Sequence, residues 1–343
     1  MPVFIALVSL LSLIFGNDEA EIVFAGDAMM HKGQIEAAKR GGDSYDFSEY
    51  FPVVRDYISM ADYAVVNLET PVSTPPYSGY PCFNSPAQYL DALKDAGFDL
   101  FLTANNHTLD RHDRGLKNTI DSLDSRRLSH IGTYKSDSVR SLAIPFIREI
   151  NGIKVGFLNY TYGTNGITPG KEVKVDYIDR EKIRQDVEAT SQSGAEFIFA
   201  CVHWGNEYQL LPHPSQRSLD AFMKEAGVDA VIGSHPHVIQ PFELTDNHLT
   251  VFSLGNFISD MRTGDTRGGA IVKVKLKRDE NRKIVIDGVT YRLVFTEPAD
   301  GRRNFRLNWA DRSKDSRAKA FSSSARSIFN KYNINVAEEL LVR

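Results

Sequence analysis

Asp229-Ala230-Val231-Ile232-Gly233-Ser234-His235-Pro236-His237 is a short apolar run that leads directly into two imidazoles separated by one proline. An apolar run of this length, stopped by glycine and serine, reads as a buried strand. The proline fixes its own φ and biases His235 toward an extended backbone, so both rings hang from a stiffened chain. Stiffness suits a pair of metal ligands. Taken alone, the segment fits equally well a surface loop that happens to carry two histidines. What decides between them is whether other strands end in partners.

They do. Glu21-Ile22-Val23-Phe24-Ala25 is an apolar strand stopped by Gly26-Asp27, with Met29-Met30-His31 just beyond it. Tyr63 to Asn67 repeats the device and continues through Leu68-Glu69-Thr70-Pro71; period-two spacing puts Asn67 and Glu69 on one face. Phe98 to Thr103 delivers Ala104-Asn105-Asn106-His107-Thr108-Leu109-Asp110, and Glu196 to Val202 delivers His203-Trp204-Gly205-Asn206-Glu207-Tyr208. Helical spacing separates these strands at Gln34 to Arg40, Pro86 to Gly97, Asp113 to Leu128, Asp179 to Ser191 and Pro214 to Ala226. Strand ends alternating with helices predict an α/β layered domain whose ligands lie at the carboxyl ends of the strands. Asn151-Gly152, between two apolar-rich runs, predicts a tight hairpin and therefore a mixed sheet. The Pro- and Gly-rich stretch from Pro71 to Pro86 is loop, placed to cover or line the crevice. Leu249 to Leu254 is a further strand, followed by Gly255-Asn256-Phe257, where Asn256 is a candidate to orient a histidine, bind substrate or form a turn. Ala270 to Leu276 and Lys283 to Val294 alternate as half-exposed antiparallel strands, and Arg312 to Phe329 is a basic helix, most simply a solvated face.

Asp27, Glu69, Asn106, His203, His235 and His237, with His107 beside them, offer oxygen and imidazole nitrogen but no thiolate. Such a set suits Mn, Fe or Zn in a catalytic site. Six ligands exceed the needs of one tetrahedral ion and would serve two divalent metals roughly 3.5–4 Å apart, bridged by a carboxylate. His107 is then the candidate proton donor to a leaving group. His31, Asn67, Asn105, Asp110, Glu207 and Asn256 are candidates to touch substrate or orient the ligands.

The whole chain bounds this reading. Its 343 residues, 42% hydrophobic and 24% charged, are those of an ordinary globular protein. A net charge of -4 without a long basic run argues against nucleic acid as a partner. Pro2 to Phe15 is almost wholly apolar, short for a membrane span and right for the hydrophobic part of an export signal, so residues 1–20 are expected to be a signal peptide or membrane anchor and the protein to be extracytoplasmic. Cys82 and Cys201 lack any redox spacing.

Gly26-Asp27, Asn67-Leu68-Glu69, Asn105-Asn106-His107, His203-Trp204-Gly205, Ser234-His235-Pro236-His237 and Gly255-Asn256-Phe257 occur in the order seen in CapA-type proteins of capsule and poly-γ-glutamate synthesis, and the chain resembles that family from about Ile22 to Val294. The family in turn resembles the calcineurin-like metallophosphoesterases. The resemblance implies a four-layer sandwich of two mixed β-sheets flanked by helices, spanning residues 21–298, with 299–343 as a partly helical extension. It implies Asp27, Glu69, Asn106, His203, His235 and His237 as metal ligands and His107 as general acid. Three departures stand out. Met29 occupies the place of the histidine in Asp-x-His, with His31 as candidate substitute; Glu69 replaces an aspartate; Ser234 replaces a glycine. The expected function is a phosphoesterase-like hydrolase in envelope-polymer biosynthesis, acting on a phosphoester or anionic polymer. The alternative is a non-catalytic subunit that guides an anionic polymer within a membrane-bound synthase.

Overall fold

A computed structural model describes residues 18–339. The apolar run Pro2 to Phe15 lies outside the described residues. Within them the chain opens with β1 (Glu19–Ala28), α1 (Lys32–Ala38), α2 (Arg55–Ser59), β2 (Tyr63–Leu68), α3 (Gln88–Asp95), β3 (Leu100–Leu102), α4 (His112–Ser125) and β4 (Ser129–Ile131). A second unit follows: α5 (Asp137–Ala143), β5 (Phe146–Ile150), β6 (Ile153–Thr161), α6 (Arg180–Gln192), β7 (Phe197–His203), α7 (Pro214–Ala226), β8 (Ala230–Ser234), β9 (Phe242–Thr245) and β10 (His248–Val251). The chain then crosses back with β11 (Asn256–Ile258), β12 (Gly268–Arg278), β13 (Ile284–Glu297), β14 (Arg306–Trp309) and α8 (Ser316–Tyr332).

The first sheet runs in the order β14-β13-β12-β1-β2-β3-β4, with β11 also paired to β1; the second runs β9-β10-β8-β7-β6-β5. Both are mixed. β1 to β4 are parallel neighbours, whereas β12, β13 and β14 join antiparallel. In the second sheet β6, β7, β8 and β10 are parallel, and β5 and β9 pair antiparallel at its edges. The predicted hairpin forms at Asn151-Gly152, with φ of 49° and 85° and Ile150 opposite Ile153. Positive φ at both central residues matches the twist of the flanking strands.

Alternate side chains of the two sheets meet in one apolar layer. Phe24 of β1 sits against Phe199 of β7 with ring centroids 4.8 Å apart, and Phe157 stacks on Phe199 at 5.6 Å. The other face of the first sheet packs on Ile58, Tyr89, Leu90 and Leu93 of α2 and α3. The outer face of the second packs on Ile183, Val187, Leu219 and Met223 of α6 and α7. The result is helix, sheet, sheet, helix, as expected.

Four elements depart from the sequence reading. The first helix stops at Ala38, because Lys39–Gly41 turns into a short strand paired with Ser44–Tyr45. Asn256 to Ile258, where a turn beside Gly255 is one of the readings left open, is a strand, paired in parallel with β1. The basic helix is not merely a solvated face: α8 sends Ala318, Phe321, Ala325 and Phe329 into the layer between the sheets. Their spacing of three and four residues makes one apolar stripe, which the intervening serines and basic residues obscure in the sequence. Finally, His235 is not extended; its φ is +98° and that of His237 is +57°.

Asp229, at the entry to β8, accepts a hydrogen bond from the Ile198 backbone N–H at 2.8 Å, and burial pushes its pKa from 3.8 up to about 6. A raised acid pKa means that the folded state holds its proton more tightly than the unfolded one. Stability is therefore highest below the unfolded value and falls as pH rises through about 6. Asp229→Asn keeps an acceptor and removes the charge. It should change little at acid pH and stabilise by up to roughly 3 kcal/mol at alkaline pH. Urea unfolding at both values checks this, and an equal effect at the two would contradict it.

Candidate metal centre

Asp27 ends the central strand of the first sheet, with Asn67 beside it on β2 and Asn256 on β11. Gly26 permits this crowding, since a Cβ there would meet the Gly255 carbonyl oxygen at 1.9 Å. Asp27 Oδ1 accepts from Asn67 Nδ2 at 2.7 Å. Its Oδ2 faces the second sheet, taking the His235 backbone N–H at 3.3 Å and lying 3.2 Å from His237 Nδ1. One buried carboxylate thus touches both sheets.

Glu69, one residue past β2, is buried, and neither of its carboxylate oxygens has a hydrogen-bond partner. His235 Nδ1 is buried without a partner too. Two groups of ligand atoms, Asp27-Glu69-His203 and Glu69-His235-His237, each lie within 4.8 Å of one another. Glu69 belongs to both. Asn106 Oδ1 stands 2.8 Å from His203 Nε2, so it adjoins the first group. The remaining ring nitrogens are held from behind: His203 Nδ1 by Ser234 Oγ at 3.0 Å, and His237 Nδ1 by Asn256 Oδ1 at 3.0 Å. Such contacts fix which nitrogen of each ring is left for a metal.

The electrostatics agree with that arrangement. Burial, reinforced by neighbouring imidazoles, drives the His203 pKa well below its usual range and that of His235 down to about 3. Both rings are therefore neutral at physiological pH, with lone pairs available. Burial, and then the Asp27 charge, raises Glu69 well above the ordinary carboxylate range. A doubly orphaned carboxyl is costly in a protein interior unless a cation satisfies it. The donor set, oxygen and imidazole without sulfur, fits Mn, Fe or Zn.

His107 lies beside this cluster. Its Nδ1 is 2.8 Å from Asp110 Oδ2, which also accepts the Phe83 backbone N–H at 2.7 Å. Phe83 sets its ring edge-on to His107, with centroids 4.6 Å apart. The loop from Pro71 to Pro86 therefore lines the crevice, as expected.

The other candidates take different places. Asn67 and Asn256 orient ligands, as described. Asn105 braces the backbone, donating from Nδ2 to the Leu68 carbonyl at 2.8 Å and accepting the His107 N–H at 3.1 Å. Glu207 is exposed on the loop after β7 and reaches the centre only through its charge on Glu69. His31 does not join either ligand group: it is the N-cap of α1, and its Nδ1 accepts from the Asp260 backbone N–H at 3.3 Å. Burial lowers its pKa to about 4. Sequence reasoning missed Ser234, noticed only as a departure from glycine, and Tyr162, whose ring lies 4.6 Å from that of His235. Tyr162 lies in the Gly- and Thr-rich loop after β6, expected at the edge of the site, and its place beside His203 and His235 follows from the neighbouring strands β7 and β8 of the same sheet.

The family model for the bacterial capsule synthesis protein PGA_cap matches residues 21–261. The capsule biosynthesis protein CapA of Bacillus anthracis is 26% identical over 315 residues, covering 87% of this chain and 75% of that protein. The PGA biosynthesis protein CapA of Bacillus subtilis (strain 168) is 27% identical over 282 residues, covering 77% and 70%. Among solved structures, the NAD nucleotidase of Haemophilus influenzae is similar with a TM-score of 0.48 and 12% identity over 94% of this chain and 64% of that one. A putative 5'-nucleotidase from Staphylococcus aureus gives 0.48 and 14% over 90% and 58%. The chain thus spans less than two thirds of the length of these two solved neighbours.

Proposed function

The chain belongs to the bacterial capsule synthesis protein family PGA_cap, and from that premise we propose that it is an extracytoplasmic, metal-dependent hydrolase of the phosphoesterase type acting in capsule or poly-γ-glutamate metabolism. The observation that carries this is Glu69, a buried carboxylate with two orphan oxygens shared by two ligand groups. Asp27, Glu69, Asn106, His203, His235 and His237 would hold a pair of divalent ions. Bound there, the ions would polarise a phosphoryl oxygen and lower the pKa of water to make a nucleophile.

The chain's own groups supply the rest. Asp110 accepts the Nδ1 proton of His107, fixing the ring and leaving Nε2 to deliver a proton to the departing oxygen. Phe83, packed edge-on, limits the access of water to that ring. Ser234 and Asn256 hold His203 and His237 in one orientation.

The test is to strip the purified protein of metal, reload it with Mn, Fe or Zn, and assay phosphomonoesters and phosphodiesters. Turnover should return with metal, and His107→Gln should lower kcat by about 10²- to 10⁴-fold while metal content holds. No turnover with any of the three metals would overturn the proposal.

One observation favours a second reading, in which the site is non-catalytic and the protein guides an anionic polymer beside a membrane-bound synthase. Met29 stands where the Asp-x-His histidine would, and the His31 ring accepts the Asp260 backbone N–H and joins neither ligand group. Polymer binding and metal content retained in His107→Ala, with loss of capsule-related function, would end that reading.

A further inference from the structure

Eight large apolar side chains are exposed on the described surface, and three of them are tyrosines standing against histidines of the metal centre. Tyr80 lies 6.4 Å from His107 between ring centroids, Tyr162 lies 4.6 Å from His235, and Tyr208 lies 6.2 Å from His237. They come from three separate loops. Exposed aromatic rings gathered at the mouth of a polar site mark a surface kept for contact.

Tyr162 has a second neighbour. With Arg180, Trp204, Gly205, Ser215 and Gln216 it lines a cavity of about 450 Å³ directly beside the metal centre. That volume is within the usual range for a small-molecule pocket. The Ser215 hydroxyl has His213 Nδ1 at 2.8 Å and retains capacity for a second hydrogen bond. Arg180 is engaged by the protein itself: Nη2 donates to the Ser218 hydroxyl at 2.9 Å, and the guanidinium lies 4.9 Å from the centre of the Phe222 ring. Among the described residues, no lysine or arginine is ion-paired with Asp27, Glu69 or Asp110; their partners are His203, His237 and His107.

The geometry points to a subsite for a carbohydrate unit, with Tyr162 as the wall shared between that cavity and the metal centre. An aromatic ring covers the apolar C–H face of a sugar, and hydroxyl and backbone groups take its hydroxyls. This rests on the hydrolytic reading and narrows it: the reacting phosphoester would be carried by a sugar.

Saturation-transfer NMR on the full chain loaded with Mn-free Zn tests the subsite without relying on turnover, with cellotetraose and adenosine as probes. Saturation should reach the sugar ring protons, fall by at least about fivefold in Tyr162→Ala through loss of one stacking contact, and persist in Tyr162→Phe. Metal analysis accompanies each variant, and the comparison is made at equal metal content. No transfer to cellotetraose, an undiminished signal in Tyr162→Ala, or preferential saturation of the adenosine base would overturn the proposal. Sugar binding without hydrolysis of any phosphoester would sink the hydrolase reading and leave the subsite standing. Hydrolysis without sugar binding would do the reverse.

Discussion

Glu69→Gln should abolish metal loading at both ligand groups at once, because this one side chain is common to them. The substitution keeps the size of the side chain and removes its charge. In metal-free protein it should be neutral or stabilising, since the wild-type carboxyl is buried with neither oxygen paired. With metal present the order reverses. A ligand that binds only the folded state at a thousand times its Kd stabilises by about 4 kcal/mol, and the variant should gain none of it. Metal content by elemental analysis, together with urea unfolding with and without metal, reads both halves. Two equivalents retained by Glu69→Gln would show that the carboxylate is not shared, whereas loss of one would place it in a single group.

The second large effect lies away from the centre. Arg140 of α5 is buried and binds two buried carboxylates, Asp176 and Asp186, the latter at 2.6 Å through Nη2. Lys182 at 2.8 Å and the Tyr160 hydroxyl at 2.9 Å complete the shell of Asp186. Asp176 has the Tyr134 hydroxyl beside it but, among the described residues, no second cation. Arg140→Ala leaves that carboxylate buried without its cation and should cost about 3–5 kcal/mol. Arg140→Lys, which keeps the charge but cannot reach both partners in the same fork, should fall between wild type and alanine. Unfolding in urea checks this, and a loss below about 1 kcal/mol for alanine would mean that water replaces the guanidinium.

Most of the frame was legible because strand ends in this fold are abrupt. An apolar run that stops at Asp27, Asn67, His203 or His235 announces both a strand and the direction in which it delivers chemistry. Pro214 to Ala226 was readable to the residue, with proline at its first position and Gly227 closing it at a φ of +103°. What escaped was whatever depends on a partner distant along the chain. The role of Asn256 stays open between orienting a histidine, binding substrate and forming a turn because β11 is only three residues long and gains its pairing from β1. The extended backbone expected for His235 does not form because the bias before proline is a local preference of modest size. Here Asp27 binds the His235 amide and supports the left-handed turn. Such a conformation costs ~1–3 kcal/mol and persists only where its surroundings over-determine it.

The two sheets meet through aromatic and aliphatic side chains, and an oily contact of that kind has no preferred direction. It resists separation but offers little resistance to a small slide. Asp27 is different, because its two oxygens point to different sheets, one to Asn67 and the other to the amide of His235. The ligand groups share this property, drawing Glu69 from one sheet and His203, His235 and His237 from the other. The cluster, with Asn159 of β6 accepting the Ala104 N–H across the same joint at 2.8 Å, is therefore a registration pin between the two sheets. Whatever fills it tightens that joint for the whole molecule, including helices that never approach the ligand.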